Sequence, residues 1–263
     1  MQRSASGDLT EPEFLAAYDA SRYERPSVTV DVVLLTVSDG DLHVLLGRRV
    51  NHPAKGTWGL PGGFVRSDES LDDAAVRVLD EKAGLKHVFI EQLYTFGEPG
   101  RDPRTRVISV AYYALVDAAT LDRAVHGLGA DRLVVARVDV HWEGERGGAA
   151  RALDAQDRPL VLAFDHGEII GMAVRRIRGK LGYAPIGFEL LPDEFTLRDL
   201  RLIHEAILRR SLNKDSFRRH VLDRGLVSAT GSRAHGVGHR PPELFRFAMA
   251  NPRTTRAGPK ERA

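Results

Sequence analysis

The chain of 263 residues has no cysteine at all. That excludes disulfides, thiolate metal sites and cysteine nucleophiles, and it fits a cytoplasmic location. Long apolar runs are missing too. No stretch approaches the roughly 18 apolar residues that a membrane span requires, and no membrane partner is expected. The first residues, MQRSASGDLTEPEF, are polar and acidic and lack the apolar centre of a secretory signal. A strong net charge is also absent, the formal value being only +2.

That small value hides an asymmetry. From Asp193 onward there are 15 Lys/Arg against 8 Asp/Glu, while the first 192 residues hold 23 against 28. A basic segment behind an acidic body points to nucleic acid as a partner, or else to a solvated basic face. At this length two modest domains fit better than one large one.

Residues 1–26 show little apolar periodicity beyond Phe14–Tyr18 and read as an N-terminal arm. VTVDVVLLTV after Ser27 is β-branched and nearly continuous, as in a buried strand. Asp39-Gly40 is a hairpin signal, and LHVLLGRRV is the returning strand. The Gly/Pro-rich loop HPAKGTWGLPGGFV then leads into SDESLDDAAVRVLDEKAGL, a capped helix with Leu71, Ala75, Val78 and Leu79 on one side and Gly84 as its stop. Strands are expected at Val88–Thr95, Arg106–Val116 and Leu133–His141, and a helix from about Asp165 to Leu181. The Gly/Ala/Arg-rich stretch Glu143–Arg158 reads as a surface loop. The pattern predicts an α/β/α sandwich with a mixed sheet over 27–185, followed by a linker at 186–192.

Past the linker, Thr196 with Asp199 three residues on makes a helix start, and Leu197, Leu200, Ile203, Ile207 and Leu208 form its apolar stripe. Asn213 caps a second helix that Gly225 ends, with Phe217, Val221 and Leu222 expected in the core. LVSATG, a polar loop SRAHGVGHRPP and ELFRFAM then form two strands and a wing. The whole predicts a small winged helix-turn-helix over 193–249 and a disordered tail at 250–263. Lys214, Ser216, Arg218 and Arg219 would sit on the recognition helix, in the major groove. Arg233, His235, His239 and Arg240 would line the wing, and most of these residues would contact phosphate.

Gly63 to Leu85 carries the chemistry. Gly63, Glu69, Arg77, Leu79, Glu81, Gly84 and Leu85 fall in the register of the Nudix box, and GTWGLPGG before it also resembles that family. The box places three glutamates at i, i+3 and i+4 on one helix face, where their carboxylates share divalent cations with a diphosphate. Those positions here are Val78, Glu81 and Lys82. One carboxylate beside an ammonium binds magnesium poorly, so no metal site, no catalytic residues and no metal-dependent hydrolysis are expected. Arg49, Gly62, Gly63, Phe64, Glu69, Arg77 and Glu81 still frame a ligand pocket. Trp58 either offers a ring to a base or simply packs, and Arg48 and Arg49 either fork onto phosphate or face water.

The degraded box, FELLPDEFTLRDL, the helix pair and GVGHRPPELFRF together resemble the Nudix-related transcriptional regulators called NrtR. The resemblance implies a ligand-responsive regulator, most simply a repressor, that binds ADP-ribose or a related nucleotide as effector and needs no cofactor. It also implies a homodimer on palindromic double-stranded operator DNA, controlling NAD or sugar metabolism. The alternative is an active Nudix hydrolase of ADP-ribose-like diphosphates, with metal held by Glu81, Glu69 and a carboxylate outside the box.

Overall fold

The computed structural model describes residues 9–143, 146–181, 186–234 and 241–248. After a short helix α1 (Glu11–Ala17), none of whose residues is buried, the chain enters a mixed sheet. Its strands are β1 (Ser27–Ser38), β2 (Asp41–Arg48), β3 (Trp58–Gly59), β4 (Gly62–Phe64), β5 (Glu91–Phe96), β6 (Val107–Leu115), β7 (Leu133–Glu143), β8 (Arg146–Leu153) and β9 (Pro159–Leu160). They lie in the order β5-β6-β1-β2-β7-β8-β9, with β3 added beside β2 and β4 beside β1. Among the described strands β1 and β6 pair in parallel, and Trp58 of β3 makes a single parallel bridge to Leu162. The β1–β2 hairpin turns at Asp39 and Gly40, both at positive φ, which a type I′ turn requires.

The near-continuous apolar run of β1 serves two cores because successive side chains alternate between faces. Val30, Val32 and Leu34 meet α2 (Leu71–Ala83) and α3 (Ala118–Leu128) on one side. Val33 and Leu35 face α4 (His166–Lys180) on the other, where Ile169, Ile170, Ala173 and Ile177 are fully buried. The expected sandwich is therefore present. Helix α2 begins at Ser70, whose side chain accepts from the Asp73 amide, and stops at Gly84 in the left-handed region.

Two features of the sandwich differ from expectation. Helix α3 was not anticipated; Asp117 caps it and it buries Leu121 and Ala124. The stretch expected to be a surface loop, 143–158, instead carries strand β8, paired antiparallel to β7. Its glycines and alanines serve close packing: a Cβ on Gly171 of α4 would lie 2.2 Å from the Gly148 carbonyl. Small residues here reflect a helix pressed onto a strand.

The C-terminal unit has α5 (Leu197–Leu208), α6 (Lys214–Asp223) and an antiparallel pair, β10 (Val227–Arg233) and β11 (Glu243–Phe247). Thr196 and Asp199 form a capping box on α5, and Asn213 caps α6 by accepting from the Ser216 amide. Phe195 bridges to Phe245, adding a third extended segment to the pair. Phe217 and Val221 are buried as expected, but Leu222 is 37% exposed, because the stripe that meets α5 ends one residue earlier. Phe188, in the segment read as a linker, lies tilted against Phe247 at 4.2 Å between centroids. The core is continuous from α4 through Leu191 and Leu200 to Phe217.

Candidate ligand pocket and nucleic-acid interface

Helix α2 retains a rigid frame. Glu69 accepts from Arg77 twice, at 2.8 Å from Nε and 2.6 Å from Nη2, and Arg77 also donates to the Phe64 carbonyl at 3.0 Å. These bonds hold the Glu69 carboxyl down at about 2. They also lock the pre-helix loop onto the helix.

The same helix is a poor cation site. Val78 is wholly buried among Val30, Ala75 and Leu79, and it offers no oxygen. Both oxygens of Glu81 lie near guanidinium groups, Oε2 3.2 Å from Arg77 and Oε1 3.4 Å from Arg66. Asp80 turns toward Lys86 instead, 3.4 Å away. Among the described residues no group of three His, Cys, Asp or Glu side chains converges to hold a metal. A divalent cation needs several free oxygens at once, so these residues do not fit one.

Beside this frame lies a cavity of about 190 Å³ whose lining includes Arg49, Phe64, Arg101, Arg104, Phe164 and His166. Its floor is a buried polar network. Asp31, a lone carboxylate in the apolar run of β1, accepts from the Ser109 hydroxyl and lies 3.8 Å from both Arg101 and His166. Arg101 grips Asp165 with two bonds, 2.8 and 2.6 Å long, so that carboxylate is spent on arginine and does not cap α4. His166 Nδ1 accepts from the Leu60 amide at 2.8 Å, which leaves its proton on the nitrogen facing Asp31. Burial keeps this imidazole below its ordinary pKa and therefore neutral. Gly62 suits this place, since a Cβ would lie 2.2 Å from an Asp31 side-chain oxygen and displace the buried network.

The walls add charge and aromatic faces. Arg104 is held by Asp102 at 3.0 and 2.7 Å and sits over the Phe64 ring at 5.3 Å. Arg49 lies over the Phe164 ring at 4.7 Å and donates through Nε to the Pro53 carbonyl. Burial and then the Arg104 charge lower the Arg49 pKa, the mark of a cation short of counter-charge. Such an arrangement suits an anion joined to a flat ring.

The second surface is α6 with its wing. Lys214, Ser216, Arg218 and Arg219 are all exposed on α6, and Arg233 is exposed at the end of β10. Arg218 leans toward the wing, 4.0 Å from Glu243 and 6.0 Å from the Phe245 ring centre. Arg233 donates to the Pro241 carbonyl at 3.1 Å. His235, His239 and Arg240 lie outside the described residues.

The two surfaces are joined through α4. Phe164, Asp165 and His166 at its start line the cavity or brace it. Near its end Arg178 sits 3.9 Å over the Trp142 ring and donates to the Ile207 carbonyl of α5 at 3.5 Å.

The NrtR DNA-binding winged helix domain family matches residues 187–247, and the NUDIX domain family matches residues 25–133. The chain is 35% identical over 242 residues to the ADPR responsive transcriptional repressor NtrR of Acinetobacter baylyi, covering 91% of this chain and 89% of that protein. The chain belongs to the NrtR family. The crystal structure of Shewanella oneidensis NrtR complexed with a 27mer DNA aligns with a TM-score of 0.68 at 33% identity, over 84% of this chain and 93% of that one. An ADP-ribose pyrophosphatase of Methanocaldococcus jannaschii is 32% identical over 148 residues, 56% of this chain and 73% of that enzyme.

Within this NrtR-family fold the residues expected at the ligand site separate into three groups. Arg49, Gly62, Gly63 and Phe64 line the cavity, Glu69 and Arg77 build the frame, and Glu81 lines the adjoining cleft. Trp58 lines neither; it sits on β3, partly buried against the core. Arg101, Asp102, Arg104, Phe164 and His166 were not anticipated, because they come from loops and a helix start far from the box. Asp31, a carboxylate inside an apolar strand, marks a buried polar site in the sequence, but it does not say which residues complete it. No helix among the described residues is long and apolar enough to cross a membrane.

Proposed function

We propose that this chain is a transcriptional repressor that binds operator DNA through α6 and the wing and is controlled by ADP-ribose or a related nucleotide. The observation that carries this is the pairing, on one continuous core, of a winged helix with a Nudix domain whose box keeps its frame and not its carboxylates. The likeness to the ADPR responsive repressor over nearly the whole of both chains supports the same reading. Arg49, Arg101 and Arg104 with the Phe64 and Phe164 rings supply the cations and faces that such a nucleotide needs.

The protein acts in the cytoplasm as a homodimer that sets two recognition helices about one DNA turn apart on a palindrome upstream of NAD or sugar metabolism genes. Ligand favours a domain arrangement in which that spacing no longer fits, so differential affinity for two states does the switching. No metal-dependent hydrolysis accompanies binding, since Val78 and Lys82 stand at two of the three carboxylate positions and both Glu69 oxygens are taken by Arg77. Gel-shift of the purified protein on its own upstream region, with and without ADP-ribose, tests this. A specific shift that the nucleotide changes is the expected result, and no sequence-specific shift even at low salt would overturn it. Release of AMP from ADP-ribose with magnesium, at turnover typical of enzymes, would instead support the hydrolase reading.

A further inference from the structure

Beside the cavity, and sharing Arg49, Leu60 and Gly62 with it, lies a second cleft of about 280 Å³ against the C-terminal half of α2. Its charged lining is Arg48, Arg49, Lys82, Arg132 and a single carboxylate, Glu81. That carboxylate does not balance the cations, because Arg77 and Arg66 already face its two oxygens from the frame side. Among the described residues Arg48, Lys82 and Arg132 have no ion-pair partner. A concave surface with four cations and one spoken-for carboxylate is a place of positive potential, strengthened by the low-dielectric walls on either side.

We propose that Lys82, together with Arg48 and Arg132, takes the electrostatic place of divalent cations, making this cleft a metal-free site for the diphosphate of an organic ligand. Lys82 occupies the i+4 position of the box, so its ammonium is carried on the same helix face as the retained Glu81. A lysine there supplies a permanent positive charge to phosphate oxygens without needing a cation from solution. It also repels magnesium, so metal and protein compete for the diphosphate. Arg49 borders both spaces, which directs the group attached to the diphosphate toward the Phe64 and Phe164 rings. This inference rests on the reading above that the ligand is an ADP-ribose-like nucleotide.

Calorimetric titration of the full chain with ADP-ribose, in EDTA and again in excess magnesium, tests it alongside Lys82→Met and Lys82→Glu. Lys82 is exposed, so both variants should melt where the parent does. The expected result is undiminished binding in EDTA, about ten-fold weaker binding by Lys82→Met, and a larger loss with Lys82→Glu. Adenosine, which lacks the diphosphate, should bind parent and variants alike. A parent that needs magnesium, or a Lys82→Met variant that binds like the parent, overturns the inference and leaves the repressor reading standing. If the parent ignores ADP-ribose, inorganic pyrophosphate separates the two ideas. Pyrophosphate binding that depends on Lys82 upholds the cleft and overturns the nucleotide; no pyrophosphate binding overturns the cleft as well.

Discussion

Arg209, held in the left-handed conformation at the end of α5, places a guanidinium nitrogen 2.6 Å from Asp139 Oδ1 on β7 and so ties the winged helix to the sandwich. Asp139 also accepts from Arg151 of β8, and these two arginines hold its carboxyl below the usual range. The pair is partly exposed, so its worth is at most about 1 kcal/mol. Asp139→Asn should therefore leave the melting temperature nearly unchanged but let the two units separate more often. Faster proteolysis between residues 181 and 197, with ADP-ribose affinity intact, is the expected outcome. Unchanged cleavage would mean that the shared apolar core alone sets the arrangement.

The winged helix carries an acid-sensitive joint. His204 of α5 packs edge-on against Phe217 of α6 at 5.1 Å, and burial, then the His220 charge, lower its pKa to about 4. The unfolded chain takes up that proton near pH 6.5, the folded chain only near 4, so stability falls as pH drops through this interval. His166 acts in the same direction. Urea unfolding at pH 7, 5.5 and 4.5 should show the decline, and His204→Phe should flatten it. An equal slope in parent and variant would rule the histidine out.

The Glu69–Arg77 pair has its own pH signature. The folded carboxyl titrates at about 2 and the unfolded one at its ordinary 4.5, so its contribution is complete above 4.5 and fades as pH falls toward 2. Glu69→Gln should be less stable than the parent at neutral pH, and that deficit should shrink with acid. ADP-ribose binding should weaken with it, because the loop carrying Gly62 to Phe64 is no longer fixed to α2.

On the DNA side, Arg219→Ala and Lys214→Ala should weaken operator binding, each lowering the slope of affinity against salt by about one, while ADP-ribose binding is kept. Arg218→Ala should also weaken operator binding, with part of the loss arising from the wing, toward which this side chain leans. Equal loss of nucleotide binding in these variants would contradict the division of labour between the two units.

The elements with strong local grammar were readable from the chain. The Asp39-Gly40 hairpin, the Gly84 stop of α2, and the Thr196 and Asn213 caps each depend on residues a few positions apart. The strand at β8 was not readable, because its glycines and alanines are chosen for contact with α4, a distant partner. The ligand cavity was half readable for a similar reason. Gly62, Gly63 and Phe64 belong to the box and its loop, whereas Arg101, Arg104 and His166 reach the cavity only after the sheet has brought three separate segments together. Their chemistry is set by neighbours such as Asp31 and Phe164, which no spacing rule connects to them.

Helix α4 has a mechanical consequence. Fifteen residues long, it spans about 22 Å, with its first turn in the wall of one site and its last under the unit that carries the other. A rigid rod of that length carries any tilt at one end to the other with little loss. Fully buried residues along its length, such as Ile170 and Ala173, line neither surface, yet any substitution that shifts the helix would reach both.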